Sequence, residues 1–173
     1  YGQLGDGTTN GANTPVAVTG GKAFTTLAAG WAHTCGLTAT GAAWCWGWNP
    51  YGQLGDGGAN WGQYSWPVAV GGPEPSPTPT PWLTATATTT PFSIWSATAT
   101  RIPQPTALVS LVAGGNHTCG LTTNGAAWCW GNNSSGQLGT GTSGQEASLA
   151  PVTGGLVFAS LVAGGQHTCG LTK

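Results

Sequence analysis

The chain has 173 residues, a formal net charge of −1, and only 4% charged residues. Three lysine and arginine residues are too few to form a basic face that binds phosphates or a polybasic patch that binds an anionic membrane. The composition therefore argues against nucleic acid and anionic membranes as partners. The 31 glycines and 10 tryptophans favour tight turns and large anchoring side chains over long helices. No apolar run is long enough to cross a bilayer.

Short apolar runs separated by glycines open the chain, and they are predicted to be strands. Four such runs are residues 15–18, 24–28, 34–38 and 42–46. None of them has the length or the 3.6-residue periodicity of a helix. Four strands in about 50 residues is the size of one β-propeller blade. The prediction is therefore an all-β fold made of such four-stranded repeats.

The loop between the third and fourth runs predicts a disulfide. If residues 39–41 form a three-residue hairpin loop with a left-handed glycine, Cys35 lies directly opposite Cys45. Opposed cysteines on neighbouring strands lie within about 5.5 Å between Cα atoms, a distance that a disulfide bridges. The same reasoning around residues 123–125 pairs Cys119 with Cys129.

Two other interpretations of the cysteines stay open at this point. Cysteine and histidine recur together, which allows zinc, although nine residues between the cysteines is outside the usual ligand spacing. Reduced cysteines that fill small core positions are the second. Cys169 is expected to pair with a residue ten positions further on, beyond Lys173. Disulfides favour an oxidising compartment, hence secretion or surface display.

Tryptophans divide into two groups. Those that recur with the repeat are predicted to pack between blades; they are Trp44, Trp46, Trp128 and Trp130. The other six lie outside the repeated columns or replace a small or polar residue, and they are the better surface candidates; they are Trp31, Trp48, Trp61, Trp66, Trp82 and Trp95. Of these, Trp48, Trp61 and Trp66 flank the Tyr51 loop, and they are candidates for binding a protein partner or stacking on a sugar ring. Scattered, partly buried aromatic residues are the alternative. Variable loops are predicted at residues 8–14, 58–66 and 142–150, because these segments differ most between copies.

Residues 73–105 differ in composition from the rest of the chain. They contain eight of the twelve prolines and no glycine, which is typical of an extended spacer without a packed core. We predict three regions: repeats at 1–72, a Pro/Thr/Ala-rich linker at 73–105, and repeats at 106–173. A degraded blade or a reading-frame error would also explain the middle region.

The second half of the chain repeats the first. The motif around His33 returns around His117 and His167, and the last two histidines lie 50 positions apart. The block 1–7 returns unchanged at 51–57. A fixed period seen in two separate motifs indicates a tandem-repeat architecture with about three copies.

The motifs A-G-x-x-H-T-C-G-L-T, G-A-A-W-C-W-G and N-x-x-G-Q-L-G resemble the regulator of chromosome condensation repeat in its cysteine-bearing bacterial form. The resemblance covers residues 1–72 and 106–173. It implies a β-propeller, with about seven blades in the family. About three copies leave such a ring open or incomplete, so further blades are expected from the rest of a longer chain or from another subunit.

His33, His117 and His167 occupy one position in every copy, so a catalytic role would have to be triplicated. We predict that they are structural and tie a strand to an adjacent loop through hydrogen bonds. The four carboxylates of the chain leave few candidates for general acid-base chemistry. We predict no catalytic residues, no cofactor, no metal and no enzymatic activity.

The sequence thus favours a non-catalytic protein-interaction scaffold, secreted or displayed on a bacterial surface, with an unknown protein partner. Carbohydrate binding through exposed tryptophans is the first alternative. The resemblance also implies guanine-nucleotide exchange on a small nuclear GTPase, but disulfide-ready cysteines and a nearly neutral charge argue against that role.

Overall fold

The computed structural model describes residues 1–72, 105 and 107–173. The predicted linker lies outside the described residues except for Pro105. The described residues form ten strands and no helix, so none of their elements is a membrane-spanning helix. The strands are β1 (Phe24–Ala29), β2 (His33–Thr38), β3 (Ala43–Trp48), β4 (Gln63–Ala69), β5 (Ser110–Ala113), β6 (His117–Leu121), β7 (Ala127–Gly131), β8 (Glu146–Pro151), β9 (Phe158–Ala163) and β10 (Thr168–Thr172).

The strands form three antiparallel sheets, which we call blades 1, 2 and 3. Blade 1 has the order β1-β2-β3-β4, blade 2 has β5-β6-β7-β8, and blade 3 consists of β9 and β10. The first strands of successive blades lie side by side, since β1 contacts β5 and β5 contacts β9. The predicted all-β fold of tandem four-stranded repeats is therefore confirmed, as an open arc.

The central hairpin of each four-stranded blade has the predicted register. Cys35 lies opposite Cys45 and Cys119 opposite Cys129. Gly41 has a φ of +80° in the first hairpin loop, the left-handed conformation that this loop requires. Disulfides join both cysteine pairs, so both predicted bonds are confirmed.

Replacing Cys119 and Cys129 together by serine is expected to lower the free energy of unfolding by about 2–3 kcal/mol, because the bond closes a short loop in the unfolded chain. Urea denaturation of the non-reduced proteins measures the loss. Cys169→Ser is the matched control, because Cys169 is an exposed free thiol. Equal midpoints for the double variant and wild type would contradict a stabilising role for the bond.

The predicted position of the outer strand is wrong. Residues 15–18 form no strand, and the fourth strand of blade 1 is β4. The sequence Pro-Val-Ala-Val at 15–18 recurs at 67–70, so residues 15–18 correspond to an outer strand. No inner strand among the described residues lies beside them to pair with. The loops predicted at 58–66 and 142–150 overlap β4 and β8, because an outer strand is held by backbone pairing and tolerates variable side chains.

The core lies between the blades. Trp46 and Trp130 are 1% and 0% exposed, and Trp130 joins a buried cluster whose residues come from blades 1 and 2. The indole N–H of Trp130 donates to the Gln53 carbonyl at 3.0 Å. Trp44 and Trp128, predicted to share this core, are only half-buried, because they lie nearer the exposed hairpin end of each sheet.

Candidate functional site

One end of the arc collects the β1–β2 turns and the β3–β4 loops, because alternate connections of an antiparallel sheet lie at the same end. The Trp31 N–H donates to the Gly115 carbonyl at 3.3 Å, and the Gly115 N–H donates to the Gly165 carbonyl at 3.2 Å. These bonds align the turns of the three blades. Residues 49–62 connect β3 to β4 at this end, which we call the loop end.

Five aromatic rings meet at the loop end of blade 1, and we call them the aromatic cluster. Its members are Tyr1, Trp31, Trp48, Tyr51 and Trp61. Ring centroids of the other four lie 5.4 to 6.2 Å from that of Trp48, the central member. Trp61 is 80% exposed, Trp31 67% and Tyr1 47%. The cluster is thus a contiguous apolar surface that remains in water.

The structure brings together two of the three tryptophans predicted to flank the Tyr51 loop. Trp48 and Trp61 are in edge contact at 6.2 Å. Trp66 lies on β4 and is 55% exposed; among the described rings it makes no contact with the cluster. Their role in binding stays a prediction.

Sequence reasoning did not group Tyr1 and Trp31 with this surface. Trp31 was itself a predicted surface residue, since glycine occupies its position in the other two copies, at Gly115 and Gly165, but the sequence did not place it beside the Tyr51 loop. Tyr1 gave no such signal, because it belongs to the repeated block and only the packing of successive repeats brings it to Trp48.

A buried amide and a partly buried carboxyl group hold the loop that carries Tyr51 and Trp61. Asn49 is 0% exposed; its Nδ2 donates to Asp56 Oδ1 at 3.0 Å and to the Gly58 carbonyl at 3.1 Å. Its Oδ1 accepts the Leu54 N–H at 3.0 Å. These bonds hold residues 49–58, and the Asn49 N–H donates to the Gly62 carbonyl at 3.3 Å, which joins the two ends of the loop beneath the rings.

A second set of polar residues joins the blades below the loop end. His33 Nε2 lies 2.9 Å from Thr118 Oγ1, and that hydroxyl donates to the Gln53 carbonyl at 3.1 Å. Since the hydroxyl hydrogen is used on Gln53, His33 must donate from Nε2. His117 and Thr168 repeat the contact between blades 2 and 3 at 2.9 Å. We call each such chain a histidine bridge.

The bridging histidines are neutral. Burial lowers the pKa of His33 from 6.5 to about 4, and the nearby His117 adds to the shift. The pKa of His117 is likewise lowered to about 4 by burial and by His167. Nδ1 of both rings is buried and without a partner among the described protein atoms. A proton there would be costly, so the geometry suits a connecting role between blades.

The described residues contain no group of three or more His, Cys, Asp or Glu side chains placed to hold a metal ion. Asp6 and Asp56 each lie five positions from a ring of the cluster; Asp6 accepts the N–H and the hydroxyl of Thr8, and Asp56 accepts Asn49 Nδ2 and the Gly58 N–H. What the loop end offers to a ligand is therefore its exposed aromatic surface.

Two family models match the chain, both described as the regulator of chromosome condensation (RCC1) repeat. One matches residues 24–53 and 108–137, and the other matches residues 1–37 and 124–171. Together the matched segments contain β1 to β3 and all of blade 2, with most of blade 3.

The ultraviolet-B receptor UVR8 of Arabidopsis thaliana is 30% identical over 145 residues, which are 83% of this chain and 26% of UVR8. The structure of Prp20p from Saccharomyces cerevisiae aligns over 100% of this chain and 38% of its own, with a TM-score of 0.66 and 16% identity. Human WBSCR16 aligns over 100% and 38%, with a TM-score of 0.67 and 22% identity. The chain thus spans less than two fifths of each of these proteins, and the two structures share its fold.

Proposed function

The chain belongs to the regulator of chromosome condensation (RCC1) repeat family, and we propose that it is a protein-interaction scaffold that acts outside the cell without catalysing a reaction. Residues 1–72 and 106–173 are its propeller segments under this proposal, joined by the linker 73–105. The aromatic cluster is the observation that carries the proposal.

The composition and exposure of the cluster support protein binding. Tryptophan and tyrosine are the residues most enriched at the energetic centres of interfaces, because they bury large area with few rotatable bonds. Blade 2 has Gly115, Asn132 and Ser135 where blade 1 has Trp31, Trp48 and Tyr51. The cluster is therefore not a requirement of the repeat, and packing of the blades does not explain its exposed rings.

The frame beneath the cluster is preorganised. The disulfide between Cys35 and Cys45 joins β2 and β3, and Trp48 is the last residue of β3. The loop to β4 is fixed by the buried Asn49. A rigid surface loses less conformational entropy on binding, which strengthens association for a given contact area.

Two disulfides support a location outside the cell, because such bonds persist in oxidising compartments. The motif form suggests a bacterial surface or secreted protein. The non-catalytic role is supported by the use of the titratable groups: the two buried histidines connect blades, and Asp56 holds a loop.

Replacing Trp31 and Trp61 together by alanine is expected to weaken binding of the protein partner about tenfold or more, because truncating a central aromatic residue costs about 2 kcal/mol or more. The immobilised chain is exposed to secreted proteins of its source, and retained proteins are quantified by mass spectrometry. Trp66→Ala is the matched comparison, since Trp66 is an exposed tryptophan separate from the cluster; retention at the wild-type level by this variant would confine binding to the cluster.

The variants must keep the wild-type unfolding temperature, which is expected because both rings are largely in water. Equal retention by wild type, the control and the double variant would overturn the proposal. Loss of binding on a glycan array, with no change in retained proteins, would assign the cluster to the carbohydrate alternative.

Binding to a small GTPase is a second candidate function. It is favoured by the shared fold with Prp20p, whose structure was described together with its binding properties to Gsp1p and histones. A direct titration of the chain with a small GTPase and with histones tests it separately from the aromatic cluster.

A further inference from the structure

The pentapeptide Thr-Thr-Asn-Gly-Ala occurs twice in the chain, at residues 8–12 and 122–126. Asparagine is a thermolabile residue, and it is particularly labile before glycine, because the backbone nitrogen of glycine attacks the side-chain amide without hindrance from a side chain of its own. The attack needs a free asparagine side chain, a backbone N–H that gives up its proton, and space around both. Since the two local sequences are identical, a difference in their reactivity comes from the fold.

In the second copy the fold restrains both reacting groups. Asn124 Oδ1 accepts the Thr122 hydroxyl and the Ala126 N–H. The Gly125 N–H donates to the Thr122 carbonyl at 2.9 Å, and the Gly125 carbonyl accepts the Phe158 N–H at 2.9 Å. A Cβ on Gly125 would lie 2.7 Å from the Phe158 carbonyl. The attacking nitrogen is therefore hydrogen-bonded, and the turn is packed against blade 3.

In the first copy only the backbone that leads to the asparagine is held. Asp6 Oδ1 accepts the Thr8 N–H at 2.9 Å and the Thr8 hydroxyl at 3.0 Å, and Thr8 Oγ1 accepts the Asn10 N–H at 3.3 Å. The Asn10 side chain and the Gly11 N–H form no hydrogen bond with any other described residue. Both residues are exposed, and a Cβ on Gly11 would have no atom within 4 Å. The amide carbon and the attacking nitrogen are thus open to water and unrestrained.

The exposure of Asn10 is a property of its place in the repeat. Asn60 and Gly144 hold the same position in blades 1 and 2, which have all four strands, and both are exposed. Asn60 is nevertheless restrained, because its Oδ1 accepts the Gly62 N–H at 3.0 Å. The bulky side chain of Trp61 follows it and hinders attack by the backbone nitrogen. Of these three positions, the one at Asn10 therefore combines an unrestrained amide with a following glycine.

We propose that Asn10 is a site of spontaneous deamidation in the folded chain. The Gly11 nitrogen gives its proton to water and forms a bond to Asn10 Cγ; the bond from Cγ to Nδ2 breaks, and ammonia leaves with a proton taken from water. Water then opens the cyclic imide at one of its two carbonyls, which gives aspartate or isoaspartate.

The net reaction consumes one water, releases one ammonia and replaces a neutral amide by a carboxyl group that is ionised at neutral pH. It therefore makes a chain with a formal net charge of −1 more negative. The site is independent of the function proposed above, because none of its residues belongs to the aromatic cluster or to a histidine bridge.

Ageing of the full chain at mildly alkaline pH tests the site. Trypsin cleaves after Lys22 and Arg101, so the two Asn-Gly sequences fall in different peptides. Mass spectrometry of these peptides measures the conversion of amide to acid, and fragmentation assigns it to a residue. The same measurement on chain that is reduced and unfolded in guanidinium chloride gives the reactivity of each sequence without the fold.

In the unfolded chain Asn10 and Asn124 should react at similar rates, because their neighbours in sequence are the same. In the folded chain Asn10 should keep most of that rate. Asn124 should react about tenfold or more slowly, because its turn must first open. If folding protects the two asparagines equally, the proposal is wrong.

Gly11→Ala tests the attacking atom. The added methyl group enters open space, so the loop should keep its structure, but the methyl group hinders the backbone nitrogen. Conversion at Asn10 should slow severalfold, and conversion at Asn124 should stay as in wild type. An Asn10 rate that Gly11→Ala leaves unchanged would overturn the attack by the Gly11 nitrogen, and with it the proposal.

Discussion

Replacing Trp130 by alanine is expected to lower the free energy of unfolding by about 3–5 kcal/mol. The side chain is 0% exposed, and it packs among the buried residues that join blades 1 and 2. Its removal leaves a cavity between the blades, and the Gln53 carbonyl loses one of its two donors. Both losses fall at the interface between blades 1 and 2. The variant should therefore weaken the contact between these blades as well as lower the stability of the chain.

Trp66→Ala is the control for the chemical change itself. Trp66 is 55% exposed on β4, and the same truncation there should cost less than about 1 kcal/mol. Urea denaturation followed by circular dichroism compares the two variants with wild type. Similar midpoints for Trp130→Ala and Trp66→Ala would contradict the placement of the core between blades.

The parts of the fold that depend on neighbours in sequence could be predicted. The register of β2 and β3 follows from a three-residue loop that ends in Gly41, and the disulfide between Cys35 and Cys45 follows from that register. Each step is local, so it needs no knowledge of the other blades.

The outer strand and the aromatic cluster could not be predicted in this way. β4 begins only after the loop 49–62, and its Pro-Val-Ala-Val sequence also occurs at 15–18, where no strand forms, so the local sequence does not say which copy is paired. Tyr1 reaches Trp48 because the block before β1 packs against blade 1. Contacts of this kind depend on how successive repeats pack together. The 50-residue period of the sequence does not determine that packing.

For the histidine bridges too, one part could be predicted from the sequence and another part could not. Recurrence of His33, His117 and His167 predicted a structural role, and a hydrogen-bond partner was expected on an adjacent loop. For His33 the partner is instead Thr118, 85 positions away on the next blade. Only the side-by-side arrangement of blades brings those two groups together.

Acid is expected to destabilise the chain through these bridges. The pKa of His33 is about 4 in the folded chain, against 6.5 for an unperturbed histidine, so the unfolded chain binds the proton more readily. Stability from the neutral ring is then complete above about pH 6.5 and is lost as the pH falls toward 4. The loss reaches about 3 kcal/mol for His33, and His117 adds to it in the same direction.

His33→Gln separates this effect from other acid titrations. Glutamine keeps an N–H donor for Thr118 but does not ionise, so the fall in stability between pH 6.5 and 4 should become shallower. His167→Gln is the comparison, because His167 is exposed and forms no bridge to a further blade among the described residues; it removes only the smaller cause of the His117 shift, so its effect on the slope should be smaller than that of His33→Gln. Urea midpoints at intervals across this range give the slopes. If His33→Gln has the same slope of urea midpoint against pH as wild type, the proton binds elsewhere. The bridge between blades 1 and 2 would then not be the acid-sensitive contact.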